Sequence, residues 1–333
     1  MPLVKRKTTV IAVAEATEGV LATVTEASDT IFLVEEATYR LEPERFSRAL
    51  GAVSFAKKAP LTGRRLVRIA FKSEVVGSAT ADTEPTWGLF MAACGFKSTI
   101  VADTSVTYDP VTPSSATYGR ANGNVSLTIQ VYQDGVVKKA RGCRGTVVIR
   151  GQAGGRVMYE WEFLGIYEAP SDTEYPSLVT GFDTPAPPIL ENAQFAFQGL
   201  SAGVAVIDSF SININNDLTA RGDVSSASGL KSILVADRNI EGSIDPEQPL
   251  EADWSTPGGI TKRFADGAVG GLSLVVGSDA GNTITISAPA AQVQISDESE
   301  GERNGINTSE VSLGFYTPLL ESATDKELRI VHT

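Results

Sequence analysis

The chain has 333 residues, 42% of them hydrophobic and 20% charged, with 31 glycines, 16 prolines and a formal net charge of −12. That mix fits a folded, loop-rich chain and excludes a disordered one. The acidic balance excludes the phosphate-neutralising surface that tight nucleic-acid binding needs.

The N-terminus "MPLVKRKTTVIAVAEATEG" is basic, but its apolar stretch ends at Glu15 without a cleavage-like site, which argues against a secretory signal. No later apolar run reaches the ~18–20 residues that span a bilayer. The segment from Ala37 to Leu66 is polar and broken by Pro and Gly, so it is expected outside the core, carrying the basic run "KKAPLTGRR" with Lys57, Lys58, Arg64 and Arg65. "TEPTWGLFMAACGF" (Thr83–Phe96) has a capping Thr, a first-turn Pro and a terminal Gly, and predicts a short helix. "VSLTIQVY" alternates and meets Asp134-Gly135, a strong hairpin turn; "GTVVIRG" and "RVMYEWEFLGIY" continue as strands. The Pro-, Ser- and Asp-rich stretch Glu168–Leu190 reads as a linker, dividing the chain into 1–168, a linker over 169–199, and 200–333. Beyond it, "VIDSFSININN" and "GNTITISA" alternate as strands, and "GGITKRFADG" predicts a second, shorter helix.

The two parts rhyme. "RIAFKSEVVGS" (Arg68–Ser78) resembles "ILVADRNIEGS" (Ile233–Ser243), and "EWEFLGIYE" (Glu160–Glu168) resembles "EVSLGFYTP" (Glu310–Pro318). The Gly-Ser pairs lie 165 residues apart and the Leu-Gly pairs 149, so a sixteen-residue deletion in the second half reconciles them. Order kept while spacing drifts predicts an internal duplication. Charge is split between the copies: residues 1–170 carry 20 Lys and Arg against 17 Asp and Glu, residues 171–333 carry 8 against 23. Such asymmetry predicts surfaces of unlike sign that meet.

Reactive equipment is scarce. His332, the only histidine, stands one residue from the end and is expected on a frayed terminus; with no second His, Ser-His-Asp and Cys-His arrangements are excluded. Cys94 and Cys143 lack metal-ligand spacing and read as small buried hydrophobes. "GDVSSASGLKS" lacks the spacing of a phosphate loop. "DESEGE", with Asp297, Glu298, Glu300 and Glu302, lacks that of a calcium loop and reads as a solvated turn. Arg221-Gly222-Asp223 and the formal glycosylation triplets at Asn124 and Asn307 are short enough to arise by chance. These residues predict no catalytic site, no metal and no cofactor.

With those strands and turns in view, "KTTVIAVAEATEGVLATVTEASDTIFLVEEATYRLEPERFSRALGAVSFAKKAPLTGRRLVRIAFKSEVVGS" and "PTWGLFMAACGF" resemble the start of tail-tube proteins of long-tailed, non-contractile bacteriophages. "IDSFSININNDLTARGDVSSASG", "DRNIEGSIDPE" and "GNTITISAPAAQVQI" resemble the same family, so most of the chain is covered, about residues 8–168 and 200–330. The resemblance implies a mainly β fold of two tandem tail-tube-like β-sandwich or barrel domains, each with a short flanking helix. It implies a non-enzymatic virion subunit made in the bacterial host cytoplasm, whose sheets join those of its neighbours into stacked rings around a channel that passes DNA. Two fused domains then predict a trimeric, pseudo-sixfold ring. Implied partners are copies of the chain itself and the tape-measure, tail-terminator and baseplate proteins; DNA passes without specific binding, and no membrane is engaged. In the family the loop equivalent to Ala37–Leu66 reaches neighbouring subunits, so Lys57, Lys58, Arg64 and Arg65 are expected to meet an acidic neighbour surface, Asp297, Glu298, Glu300 and Glu302 being one candidate. The alternative is another phage or surface β-sandwich module, a capsid decoration or adhesion protein, which needs an exposed ligand face with clustered aromatics.

Overall fold

A computed structural model describes residues 8–24, 30–32, 35–48, 57–173, 185–191, 193–197, 206–248, 259–294, 300–318 and 325–333. Period-two alternation turns the first half into β1 (Thr8–Ala14), β2 (Thr30–Phe32), β3 (Glu35–Phe46) and β4 (Leu61–Glu74). Helix α1 (Gly88–Ala93) follows, then β5 (Phe96–Val101), β6 (Ser105–Pro110), β7 (Leu127–Gln133), β8 (Val136–Gln152) and β9 (Met158–Asp172). The second half holds β10 (Gln194–Phe197), β11 (Ile207–Asn213), β12 (Asn216–Gly222), β13 (Leu230–Arg238) and β14 (Glu241–Pro246). Helix α2 (Ile260–Ala265) precedes β15 (Val269–Val276), β16 (Ile284–Gln294), β17 (Glu300–Arg303), β18 (Ile306–Ser309), β19 (Val311–Tyr316) and β20 (Arg329–His332). The protein is mainly β.

Hydrogen-bonded neighbours run β1-β7-β8-β9-β4-β3 in the first half. In the second they run β10-β15-β16-β19-β14-β11, the same order. Each half has one helix at the same point in the chain, α1 packing on β8 and α2 on β16. The spacing drift has two sources rather than one deletion. The first half inserts β5 and β6 between its helix and β7, and the second inserts the β17–β18 hairpin between β16 and β19.

The sequence rhymes identify the duplication but misalign its strands. "RIAFKSE" lies in β4 and "ILVADR" in β13, whereas the strand holding β4's place is β14. Leu164 and Leu313 do fall on equivalent strands, β9 and β19, but on opposite faces. Leu313 enters the main core, while Leu164 joins a separate apolar cluster on the other side of the sheet. A shift of one residue along a strand flips every side chain, and similarity scoring does not see it.

The halves are not separate bodies. One hydrophobic core contains residues of both, and sixteen strands share one sheet. The first junction is β8. One edge pairs β9 along most of its length; the other pairs β7 through Cys143 and then β11, Val148–Gln152 facing Asn213–Ser209. The second is β20, which sits between β16 of the second half and β6 of the first. His332 therefore belongs to no frayed end. It is fully buried, its Nε2 3.0 Å from the Gly281 carbonyl and 3.3 Å from the Ser78 amide. Arg238 fixes the same C-terminal segment, pairing with Asp325 at 3.1 Å and with Glu327.

Other boundaries move for similar reasons. β9 runs on to Asp172, inside the stretch read as linker, and β10 starts within it. Residues 185–191 are tied down, Leu190 exchanging backbone bonds with Gly154 and Gly155. Among the described residues of the polar segment Ala37–Leu66 most lie in the β3–β4 hairpin; pairing with β4 satisfies one edge of β3 although none of their side chains is buried. The first helix spans only Gly88–Ala93, with Trp87 rather than Thr83 at its N-cap position and no side-chain cap, and every residue of it is buried. Asp134 (φ 41°) and Gly135 (φ 96°) turn β7 into β8 as the sequence predicts, both in the left-handed region of a type I′ turn.

The first-half core is aromatic. Trp87 packs on Tyr108 and Tyr159 at ring-centroid distances of 4.8 and 5.2 Å, and Phe90 on Trp161 at 5.3 Å. The indoles donate to the Val76 carbonyl (2.7 Å) and the Ser73 hydroxyl (2.8 Å), so burial leaves no orphaned N–H. Glu15 is buried yet satisfied. It accepts from the amides of Gly142 and Gly19 at 2.7 and 2.9 Å and from Thr128 and Ser126 at 2.9 and 2.6 Å, tying the end of β1 to β7 and β8.

At the second junction backbones approach too closely for a side chain. A Cβ on Gly77 meets the Gly281 oxygen at 2.1 Å and Asn282 Cα at 2.6 Å, both backbone atoms that cannot swing aside. Gly77→Ala is therefore expected to destabilise the fold by ~1–3 kcal/mol, the usual cost of overpacking. A lower denaturant midpoint with an unchanged slope checks it.

Candidate assembly surface

In a sheet with one buried face, the other carries whatever chemistry the molecule offers outward. Directly opposed residues of antiparallel strands share a face, so register traces rows across both halves. One row reads Glu74, Met158, Arg150, Ser211, Ser243, Ser312 and Gln294, over β4, β9, β8, β11, β14, β19 and β16. Its two parts differ in kind. On the first half, charges are matched: Arg68 sits between Glu42 (3.2 Å) and Glu162, and Glu160 between Lys72 (3.2 Å) and Arg150 (2.9 Å). On the second half the row is hydroxyl and amide, Ser211 and Ser243 hydrogen-bonding at 2.9 Å. This row is hydrophilic and its charges balance, while Glu241 and Asp245 flank Ser243 on the same face of β14.

Where β9 leaves that pattern, its outward residues become apolar. Leu164 and Ile166 are buried by Leu230 and Ile233 of the β12–β13 arm, with Leu66, Leu218 and Ala220 around them. Sequence reading missed this contact. Its signal was the outward pair Leu164 and Ile166 in a strand whose alternation otherwise places carboxylates there.

The β3–β4 arm occupies the corresponding place in the first half, between the strands equivalent to β11 and β14. Of its four expected contact residues, one is held by its own arm and one lies over a ring of β9. Arg64 pairs with Glu44 at 2.8 Å, a hydrogen bond that pulls the exposed carboxyl below its usual range, and Arg65 lies 5.4 Å from the centre of the Tyr167 ring. Lys57 and Lys58 are exposed, and no carboxylate among the described residues pairs with either. Asp297 and Glu298 lie outside the described residues. Glu300 opens β17, opposite Ser309, and Glu302 is exposed on the same hairpin. Register separates the two sets. The arm tip lies at the Val136 end of β8, and the β17–β18 hairpin leaves the sheet at the Gln152 end. Among the described residues they do not meet within one chain. Around that hairpin Arg303 gathers Asp245 (3.2 Å) and Glu247 (3.0 Å), an acidic surround only partly offset.

Strand edges complete the picture. β11 has a neighbour on both sides, but β3, its topological equivalent, pairs only β4 among the described residues. A two-fold repeated sheet with a polar face, an open edge and projecting arms is the build of a self-assembling structural subunit. The chain belongs to the phage tail tube protein family, whose sequence model matches residues 6–315. No curated protein matches it. Family membership gives it a structural role in the virion tail, in a tube built from copies of itself. No helix among the described residues is long and apolar enough to cross a membrane.

Cys94 and Cys143 are both free and fully buried, and desolvation pushes both thiols up. The attacking species of a thiol reagent is the thiolate. Native protein at pH 8 is therefore expected to resist alkylation, both cysteines reacting only after denaturation; mass spectrometry of labelled native and unfolded samples checks this.

Proposed function

We propose that three copies of this chain form a pseudo-sixfold ring, that rings stack head to tail, and that the channel passes DNA into the host without specific binding. The observation that carries this reading is the repeated six-strand order joined through β8 and β11 inside one chain. Half-to-half contact of that kind, continued from copy to copy, closes a ring of six similar units from three chains, and closure removes exposed sheet edges. The hydroxyl-rich row, flanked on β14 by Glu241 and Asp245, suits a DNA channel, since phosphate-binding Lys and Arg arrest sliding through many cooperative contacts. The role is structural and non-catalytic, with tape-measure, tail-terminator and baseplate proteins as tail partners. An adhesion module fits less well, because Trp87 and Trp161 are core residues rather than a ligand face. Electron microscopy of assembled tubes is expected to give three chains per ring and a lumen without a Lys/Arg excess. Six chains per ring overturns the stoichiometry, and a basic lumen overturns the passage argument.

In head-to-tail stacking, the arm tip with Lys57 and Lys58 approaches the acidic hairpin end of the copy in the next ring, where Glu300 and Glu302 lie, with Arg64 and Arg65 stiffening the arm behind them. Exposed pairs contribute only ~0–1 kcal/mol each and weaken with salt. Replacing Lys57, Lys58, Arg64 and Arg65 by Gln is therefore expected to slow tube assembly at low salt and leave monomer melting nearly unchanged. Equal assembly rates across a salt series refute this role.

A further inference from the structure

The chain holds two Asn-Gly steps, Asn122-Gly123 and Asn304-Gly305, and the fold treats them in opposite ways. Asparagine is one of the chemically labile side chains. A glycine after it has no Cβ to shield its amide nitrogen, which then reaches the asparagine side-chain carbonyl more readily than any other residue's does. Gly123 is closed off. It is buried, and its amide donates to the Arg120 carbonyl at 3.1 Å. A Cβ there would meet the Phe96 carbonyl carbon at 2.6 Å and the Lys97 nitrogen at 2.7 Å, both backbone atoms of β5. Gly305 is open. It and Asn304 (φ 82° and 53°) make the two-residue turn between β17 and β18, both in the left-handed region and both exposed. No heavy atom beyond its chain neighbours lies within 4 Å of where a Gly305 Cβ would sit. Among the described residues neither the Gly305 amide nor the Asn304 side chain makes a hydrogen bond.

We infer that Asn304 is a self-modification site of the unassembled chain, converted to aspartate and isoaspartate through attack by the Gly305 nitrogen. That nitrogen bonds to Asn304 Cγ, the Cγ–Nδ2 bond breaks, and Nδ2 leaves as ammonia with the proton that the Gly305 nitrogen gave up. The product is a cyclic imide spanning the two residues. Water opens it on either side of the shared nitrogen. Breaking the bond to Cγ gives aspartate, and breaking the bond to the Asn304 backbone carbonyl carbon gives isoaspartate. Water is the only co-reactant, and nothing is oxidised or reduced.

The hairpin is anchored short of its tip. Thr308 bridges to Glu247, and the Asn307 carbonyl accepts from the Gln248 amide at 2.9 Å, so the turn lies beyond the last contact. Either product sets a new carboxylate beside Arg303, which already holds Asp245 at 3.2 Å and Glu247 at 3.0 Å. Isoaspartate also adds a methylene to the backbone of a two-residue turn, which strains the pairing of Arg303 with Ile306.

The test follows the unassembled full chain at mildly alkaline pH, native and in denaturant, by mass spectrometry of its peptides. In the native chain the Asn304 peptide is expected to gain the mass of an NH2-to-OH exchange and to split into two chromatographic peaks. The Asn122 peptide is expected to stay unchanged there and to convert in denaturant, where its shielding is lost. A native Asn304 peptide that stays unchanged overturns the assignment, and so does native conversion of Asn122 at an equal rate. Asn304→Gln is expected to abolish the acidic shift of the aged native chain on isoelectric focusing. An undiminished shift in that variant also overturns it.

Discussion

The arrangement depends on one edge of β8. A strand has two edges, and β8 spends one on β9 and divides the other between β7 and β11. Because the second user of that edge comes from the other half, two sheets become one and their apolar faces enclose one core. The bulge between Arg141 and Arg144 lets the strand change partners, and Glu15 fills that bend with four accepted hydrogen bonds, two of them from the Gly142 and Gly19 amides.

From that shared edge the rest of the surface follows. Once β11 is covered by β8, its equivalent β3 is an edge left open among the described residues. The molecule thus carries one edge contact of this kind already made and one edge open, which is the condition for a chain that extends by adding copies. β20 works in the opposite sense. Wedged between β16 and β6, it locks the halves of a single chain, and the tight Gly77, Gly281 and His332 contact makes that lock specific.

Much of this was legible in the residues. Alternation located most strands, Asp134-Gly135 located a hairpin turn, and Gly95 marked the end of a helix. The rhymes announced a duplication, although "ILVADR" pointed to β13 where β14 is the equivalent strand, and Leu164 and Leu313 fell on opposite faces. Lys57 and Lys58 proved exposed as expected, whereas Arg64 found a partner in its own arm and Arg65 lies over the Tyr167 ring of β9, through register that polarity does not encode. His332 was misplaced because proximity to a terminus says nothing about whether the last strand is paired.

The sequence by itself determined which segments are strands, where they turn, and that the pattern occurs twice. These are local properties: period-two patterning and turn chemistry act over a few residues. Only the tertiary structure decided which edges meet, which face of β9 is covered and which end of the chain is buried. The backbone groups along every strand edge are chemically alike, so the choice of partner is made by shape and burial between residues far apart in the chain, 57 positions for Ser209 and Gln152 and 254 for His332 and Ser78.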